Sequence, residues 1–168
     1  MEINTKFRLL AFNHDNIHDA QLQKIYDLNQ ANTPEVGSLE SKDHLRKLIE
    51  LSAYNLLVLK SDEIIGFIIC MREGSVYRSE NYKFFTTKLK KFLYVDRVAI
   101  DENYRREGLG KAIYNDIFNQ AKNENLSIAL EVNTQPINQP SLNFHQKMGF
   151  DQVGEKDFTD HRVAYFIK

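Results

Sequence analysis

Arg105-Arg106-Glu107-Gly108-Leu109-Gly110-Lys111 follows an apolar run, Phe92 to Ile100, and opens a helical stretch that reaches about Lys122. A strand, a short basic turn with two glycines, then a helix is the local architecture of an anion site. The first turn of a helix carries backbone N–H groups with no partner inside the helix, and the helix dipole adds partial positive charge there. Gly108 and Gly110 remove side chains where a diphosphate must come close to the backbone. Arg105, Arg106 and Lys111 add formal positive charge. Two readings compete on this stretch alone, a phosphate cradle and a tight structural turn. It is not a Walker loop, because no Gly-Lys-Ser/Thr follows at the required spacing. It is not a Rossmann fingerprint either, because the third glycine position, 113, is Ile.

The flanking sequence supplies the frame. Phe7 to Phe12 reads as a first strand. Asn13 to Asn32 carries Ile17, Ala20, Leu22, Ile25 and Leu28 near a helical period, and Thr33-Pro34 ends that helix. Ser41 is a suitable N-cap for a second helix through Leu51. Asn55 to Lys60 and Ile64 to Met71 form a hairpin around Ser61-Asp62-Glu63. Arg72 to Lys91 reads as a long connection holding Tyr77, Tyr82, Phe84 and Phe85; its aromatics either pack it onto the domain or wall a substrate pocket. Phe92 to Ile100 is a central strand, Gly108 to Lys122 a helix, Ser127 to Asn133 the next strand. Ser141 to Met148 is a short helix stopped by Gly149, and Gln152 to Glu155 and Arg162 to Ile167 close the chain as a hairpin. The order β-α-α-β-β-β-α-β-α-β-β predicts an α/β fold. It is one domain over residues 1–168, a mixed twisted sheet of about seven strands with about four helices on its two faces.

Arg105-x-x-Gly108-x-Gly110 resembles the pyrophosphate motif of the GNAT superfamily of acyl-CoA N-acyltransferases. Downstream, Asn138-Gln139-Pro140-Ser141-Leu142-Asn143-Phe144-His145-Gln146-Lys147-Met148-Gly149-Phe150 is similar to its second signature, an Asn, a small residue three on, and an aromatic-rich helix ending in Gly-Phe. The two motifs stand in the right order, separated by one helix and one strand. The run Phe92 to Val98 also resembles a bacterial subgroup of predicted acetyltransferases.

The resemblance implies acetyl-CoA as co-substrate, held in a splay between the fourth and fifth strands. The Val98 and Ile100 backbones would meet its pantetheine arm. The diphosphate would sit on Arg105, Arg106, Gly108, Leu109, Gly110 and Lys111, and Asn138, Ser141 and Phe144 of the second motif would complete the site. The segment Val132 to Asn138 is two residues longer than the usual pattern and contains Pro136. An oxyanion donor is implied at a backbone N–H near Val98.

Strand alternation puts Tyr94, Asp96 and Val98 on one face, and Ala129, Glu131 and Asn133 on one face of the next strand. Asp96 and Glu131 are then the carboxylates available to an amine proton. Glu131 matches the base position of ribosomal-protein alanine acetyltransferases, which share the run Leu130-Glu131-Val132; Asp96 matches a position where other members carry His. The competing reading pairs Asp96 with Arg97 and makes Glu131 a strand terminus. In the stronger reading Glu131 takes the proton and Asp96 holds the substrate cation, with Tyr94 and Asn133 beside it. The family's general-acid Tyr is replaced by His145, which can donate a proton near neutral pH or serve structure alone. His14, His18, His44 and His161 lack metal-ligand spacing and read as surface residues, so no metal is expected.

Composition narrows the classes. The chain has 168 residues, a net charge of −1 and a hydrophobic fraction of 42%, which suits one globular domain and gives no electrostatic reason to expect nucleic acid. No apolar run approaches membrane-spanning length. Cys70, the only cysteine, excludes an intrachain disulfide and, with the polar Met1 to Lys6, points to the cytoplasm. The expectation is an N-acetyltransferase acting on the primary amine of a small molecule or amino-acid derivative by direct transfer. The alternatives are an acyl-CoA-binding sensor without turnover and a protein N-terminal or lysine acetyltransferase. A homodimer contact through the Arg72–Lys91 aromatics is a further expectation.

Overall fold

The structure, a computed structural model, describes residues 2–4, as backbone, and 6–168. Eight strands form one sheet: β1 (Glu2–Asn4), β2 (Phe7–Ala11), β3 (Tyr54–Lys60), β4 (Glu63–Arg72), β5 (Phe92–Ile100), β6 (Ser127–Gln135), β7 (Asp151–Asp157) and β8 (Arg162–Ile167), in the spatial order β1-β2-β3-β4-β5-β6-β8-β7. The helices are α1 (Asp19–Ala31), α2 (Lys42–Leu51), α3 (Glu80–Thr86), α4 (Leu109–Glu124) and α5 (Gln139–Lys147), with a 3-10 turn at Glu102–Tyr104. The expected α/β order holds. Short β1 is additional, so the expected fourth and fifth strands are β5 and β6 here.

Two differences have local causes. α1 begins at Asp19 rather than Asn13, because the Asn13 side chain accepts from Asp15 N at 2.9 Å and Asn16 N at 3.2 Å, a turn that competes with the helix. The Arg72–Lys91 connection contains α3, capped by Ser79, whose Oγ accepts from Tyr82 N at 3.3 Å. Tyr82 and Phe85 of α3 are fully buried, so the segment is core and its aromatics pack it onto the sheet.

Two apolar cores lie on the two sheet faces. One joins α1, α2 and α3 to Phe67, Ile69, Tyr94 and Ala129. The other joins α4 to Ile68, Leu93, Val95, Leu130 and Val132. β3 and β4 are central and nearly continuously apolar, as strands buried on both faces must be.

Among the described residues only β5 and β6 run parallel, and their register covers Phe92↔Ser127, Leu93↔Ile128 and Tyr94↔Ala129. Beyond Tyr94 the strands part. β5 stays with β4 as far as Ile100↔Gly66, and β6 stays with β8 as far as Gln135↔Arg162. This is the expected splay. β5 also carries a bulge: Cys70 faces Val95 and Ile69 faces Arg97, leaving Asp96 as the extra residue. The bulge reverses the alternation. Tyr94 belongs to the α1–α2 core, whereas Val98 and Ile100 join the α4 core. The expectation that Tyr94, Asp96 and Val98 share one face is therefore corrected. The β6 expectation survives, with Ala129 in the α1–α2 core and Leu130 and Val132 in the other.

Candidate active site

The splay opens into a cleft of about 560 Å³. Its two ends differ chemically. On the α4–α5 side it is lined by Val95, Val98, Leu130, Val132, Tyr114 and His145, with Asn138 and Ser141 at the edge. On the α1–α2 side the wall is the loop Thr33 to Ser38, facing Asp96, Arg97, Glu131 and Asn133, with Asp160 and His161 from the β7–β8 loop.

Glu131 sits at the junction. Tyr94 Oη donates to both carboxylate oxygens, at 2.9 and 2.7 Å, and Asn81 Nδ2 donates to Oε1 at 3.3 Å. Asn81 is itself oriented by Tyr165, whose hydroxyl donates to its Oδ1 at 2.7 Å. Burial pushes the Glu131 carboxyl up to about 8, with the negative charge of Asp96 adding to the rise and the Tyr94 hydrogen bond opposing it. A carboxylate tuned this close to neutrality is suited to proton transfer. Tyr94, expected beside the substrate, is fully buried and supports Glu131 from beneath; it does not line the cleft.

Asp96 is spent differently. Its Oδ2 receives Arg97 Nε at 2.9 Å and its Oδ1 receives the Tyr77 hydroxyl at 2.7 Å, and its side chain is 4% exposed. Arg97 Nη1 also donates to Asn29 Oδ1 at 3.0 Å and to the Gly37 carbonyl at 3.1 Å. Burial works against the Arg97 charge, but Asp96 outweighs it and holds the guanidinium firmly protonated. The pairing reading of Asp96 thus describes the structure, in which Asp96 still lines the cleft. The network also ties the acceptor-side loop to the bulge. Asn133 joins it, donating to the Pro34 carbonyl at 3.3 Å while lining the cleft.

His145 lies in the cleft wall and is almost wholly buried. Its Nδ1 donates to the Ser141 carbonyl at 2.7 Å, and its Nε2 then accepts from Tyr114 Oη at 2.9 Å. Burial lowers its pKa and so favours the neutral ring, while the Ser141 carbonyl pulls the other way. Tyr114 is not singled out by any sequence motif.

The diphosphate turn has the expected shape. Gly108 caps α4 with φ +78°, and a Cβ there would meet nothing within 4 Å, so the turn is open above the first N–H groups of the helix. Arg105, Arg106 and Lys111 are exposed around it, and Arg105 also donates to Asn32 Oδ1 at 2.6 Å. A Cβ at Gly110 would stand 3.5 Å from the Phe144 ring, an ordinary van der Waals contact. Leu109 is buried, so only its backbone faces the turn. Phe144 packs on Tyr114 with ring centroids 5.3 Å apart and lies under the turn rather than in the cleft, and Ile100 is likewise outside the cleft. Asn138 reaches the cleft despite the longer preceding segment, because that segment folds back with Asn138 N donating to the Asn133 carbonyl at 3.0 Å. Asn138 Oδ1 caps α5 by accepting from Ser141 N at 3.3 Å. The open turn, the unpaired β5 edge and the cleft fit an extended thioester co-substrate with a diphosphate at one end.

The sequence reading missed three elements of this site. They are the α1–α2 loop as acceptor-side wall, Asn81 as partner of Glu131, and His161, expected on the surface but half-buried in the wall. Of the two readings of Arg72–Lys91, packing onto the domain describes its aromatics, and the segment contributes Asn81 alone to the cleft lining. Among the described residues no group of three or more His, Cys, Asp or Glu side chains is placed to hold a metal, and no helix is long and apolar enough to cross a membrane.

A sheet opened at its one parallel junction, beside a glycine-turned helix N-terminus, defines the architecture of the acyl-CoA N-acyltransferases. Residues 22–150 match the acetyltransferase (GNAT) family, and the chain belongs to it. Comparison with curated proteins finds no match. Among solved structures, Ard1 from Thermoplasma volcanium is 18% identical with a TM-score of 0.73, over 98% of this chain and 97% of that one. NAA60 of Arabidopsis thaliana in complex with acetyl-CoA is 14% identical with a TM-score of 0.70, over 96% and 97%. The ribosomal-protein-S18-alanine N-acetyltransferase of Escherichia coli is 16% identical with a TM-score of 0.63, over 95% and 91%. At these identities the likeness is one of fold.

Proposed function

We propose that this protein is a cytoplasmic acetyl-CoA-dependent N-acetyltransferase that acts by direct transfer on the primary amine of a small molecule. The observation that carries the reading is Glu131, a carboxylate raised to about 8 and held by Tyr94 and Asn81 where the two ends of the cleft meet. Acetyl-CoA, when bound, supplies the activated acetyl group. The chain's own residues do the rest. Arg105, Arg106, Lys111 and the α4 N-terminus hold the diphosphate, and Asn138 and the Val98 edge of β5 hold the arm. Glu131 takes the amine proton. The hydrogen-bonded pair of Tyr114 and His145 stands on the co-substrate side, where a departing thiolate needs a proton.

A binding module without turnover would need no tuned carboxylate between the two ends of the cleft, and Glu131 favours the enzyme. The test combines calorimetry with a free-thiol release assay over a panel of amines. Acetyl-CoA binds the wild type and is rejected by Gly108→Glu, which places a bulky anion in the turn, and thiol release depends on added amine. Unchanged affinity in Gly108→Glu puts the diphosphate elsewhere. Binding without amine-dependent thiol release makes the protein a sensor.

A further inference from the structure

The acceptor side of the cleft carries a one-sided charge balance. Its lining holds four carboxylates, Glu35, Asp96, Glu131 and Asp160, and one guanidinium, Arg97. Among the described residues no lysine lines it. Arg97 is a poor counter-ion for a substrate anion, because Asp96 offsets its charge. It is 7% exposed, its Nε is 2.9 Å from Asp96, and its Nη1 is shared between Asn29 and the Gly37 carbonyl. His161, the other basic group of this wall, has its Nδ1 2.7 Å from Asp160. Resting on the transferase reading above, we infer that the acceptor is an amine with no carboxylate next to it, so that free α-amino acids are excluded and amides, simple amines and diamines are admitted.

The physical argument is short. An amine placed to give its proton to Glu131 brings its neighbouring substituent within a few ångströms of that carboxylate. Glu131 must be ionised to accept the proton. A substrate carboxylate would then be a second anion in a partly desolvated cleft, and the uncompensated repulsion is far larger there than in water. It would also favour the protonated, idle form of Glu131. A site built for free amino acids needs a cation with open donors for the carboxylate, commonly a bidentate arginine. The one arginine here is offset in charge by Asp96, and its Nε and Nη1 are committed to Asp96, the Asn29 side chain and the loop carbonyl. A second ammonium on the acceptor, by contrast, finds Asp160 and Glu35 at the rim.

The test uses the intact protein with acetyl-CoA and matched acceptor pairs: alaninamide with alanine, phenethylamine with phenylalanine, and propylamine with 2-aminobutanoate. Thiol release gives kcat/KM for each, and calorimetry on the protein with coenzyme A gives binding of the same compounds. In every pair that turns over, the member without a carboxylate should be favoured at least tenfold, and its partner should inhibit only weakly. A carboxylated member that is acetylated or bound as well as its partner overturns the inference and leaves the transferase reading intact. Absence of turnover with every amine overturns the transferase reading, and the binding comparison then decides the inference by itself. Asp96→Asn, which leaves the Arg97 charge uncancelled, should shrink the discrimination several-fold. Discrimination unchanged in a folded Asp96→Asn protein would show that the ion pair is not its cause.

Discussion

Glu131 is the residue on which the chemistry turns, and its environment makes two predictions. Its folded pKa, about 8, lies above the ordinary carboxylate value near 4.5. Between those values the folded chain binds the extra proton. Stability is therefore greatest below the lower value and falls as pH rises through the upper one. Glu131→Gln removes that dependence. Thermal unfolding should show the variant gaining on the wild type as pH is raised from 5 to 9, and parallel curves would place Glu131 in a better-solvated setting than this structure gives it. Tyr114→Phe leaves the buried His145 Nε2 without its donor, at a cost of about 1–3 kcal/mol. Denaturant unfolding that shows no loss would break the Tyr114–His145 pair from this account. Glu131 and His145 were legible in the sequence because each stands at a fixed place in a motif or an unbroken strand. The setting of Asp96 was not. A bulge costs one residue of alternation and leaves no mark in the composition of Phe92 to Ile100, so the face on which Val98 lies could not be read from period two.

At the scale of elements, α3 belongs to the core and the α1–α2 loop to the cleft wall. Phe85 is fully buried, with its ring 5.4 Å from that of Tyr165 and 5.8 Å from that of Tyr94. Phe85→Ala should cost about 3–5 kcal/mol in chemical denaturation. A value below 1 kcal/mol would return the segment to the status of a loop. The signal was present in the sequence, as a serine cap followed by aromatics three apart, but seven residues of helix inside a charged twenty-residue connection give little periodicity to read. The α1–α2 loop gave none. It is a wall because Arg97 and Asn133 reach it at sequence separations that no local pattern encodes, with Asn29 of α1 joining them. Val36→Phe adds bulk to that wall, so it should raise the acceptor KM severalfold while acetyl-CoA affinity, measured by calorimetry, stays within twofold. Equal losses in both would mean that the two ends of the cleft are not separate.

The whole molecule follows from one break in an otherwise antiparallel sheet. The β5–β6 pairing ends after Tyr94 and Ala129, and the two apolar cores hold the diverging strands apart from opposite faces. The element order and the two glycine-containing turns made that architecture readable from the sequence, since each helix and strand carries its own period and cap. What the order does not encode is the depth of the cleft and the charge along it, which arise from side chains brought together across the splay. The central claim is that this cleft transfers an acetyl group to an amine with Glu131 as the base. The most direct measurement is amine-dependent thiol release from acetyl-CoA, recorded from pH 6 to 9 for the wild type and Glu131→Gln. The wild type should show kcat/KM rising with pH through a limb near 8, and Glu131→Gln should lose roughly 100-fold or more together with that limb. A variant that matches the wild type in both rate and profile would contradict the account.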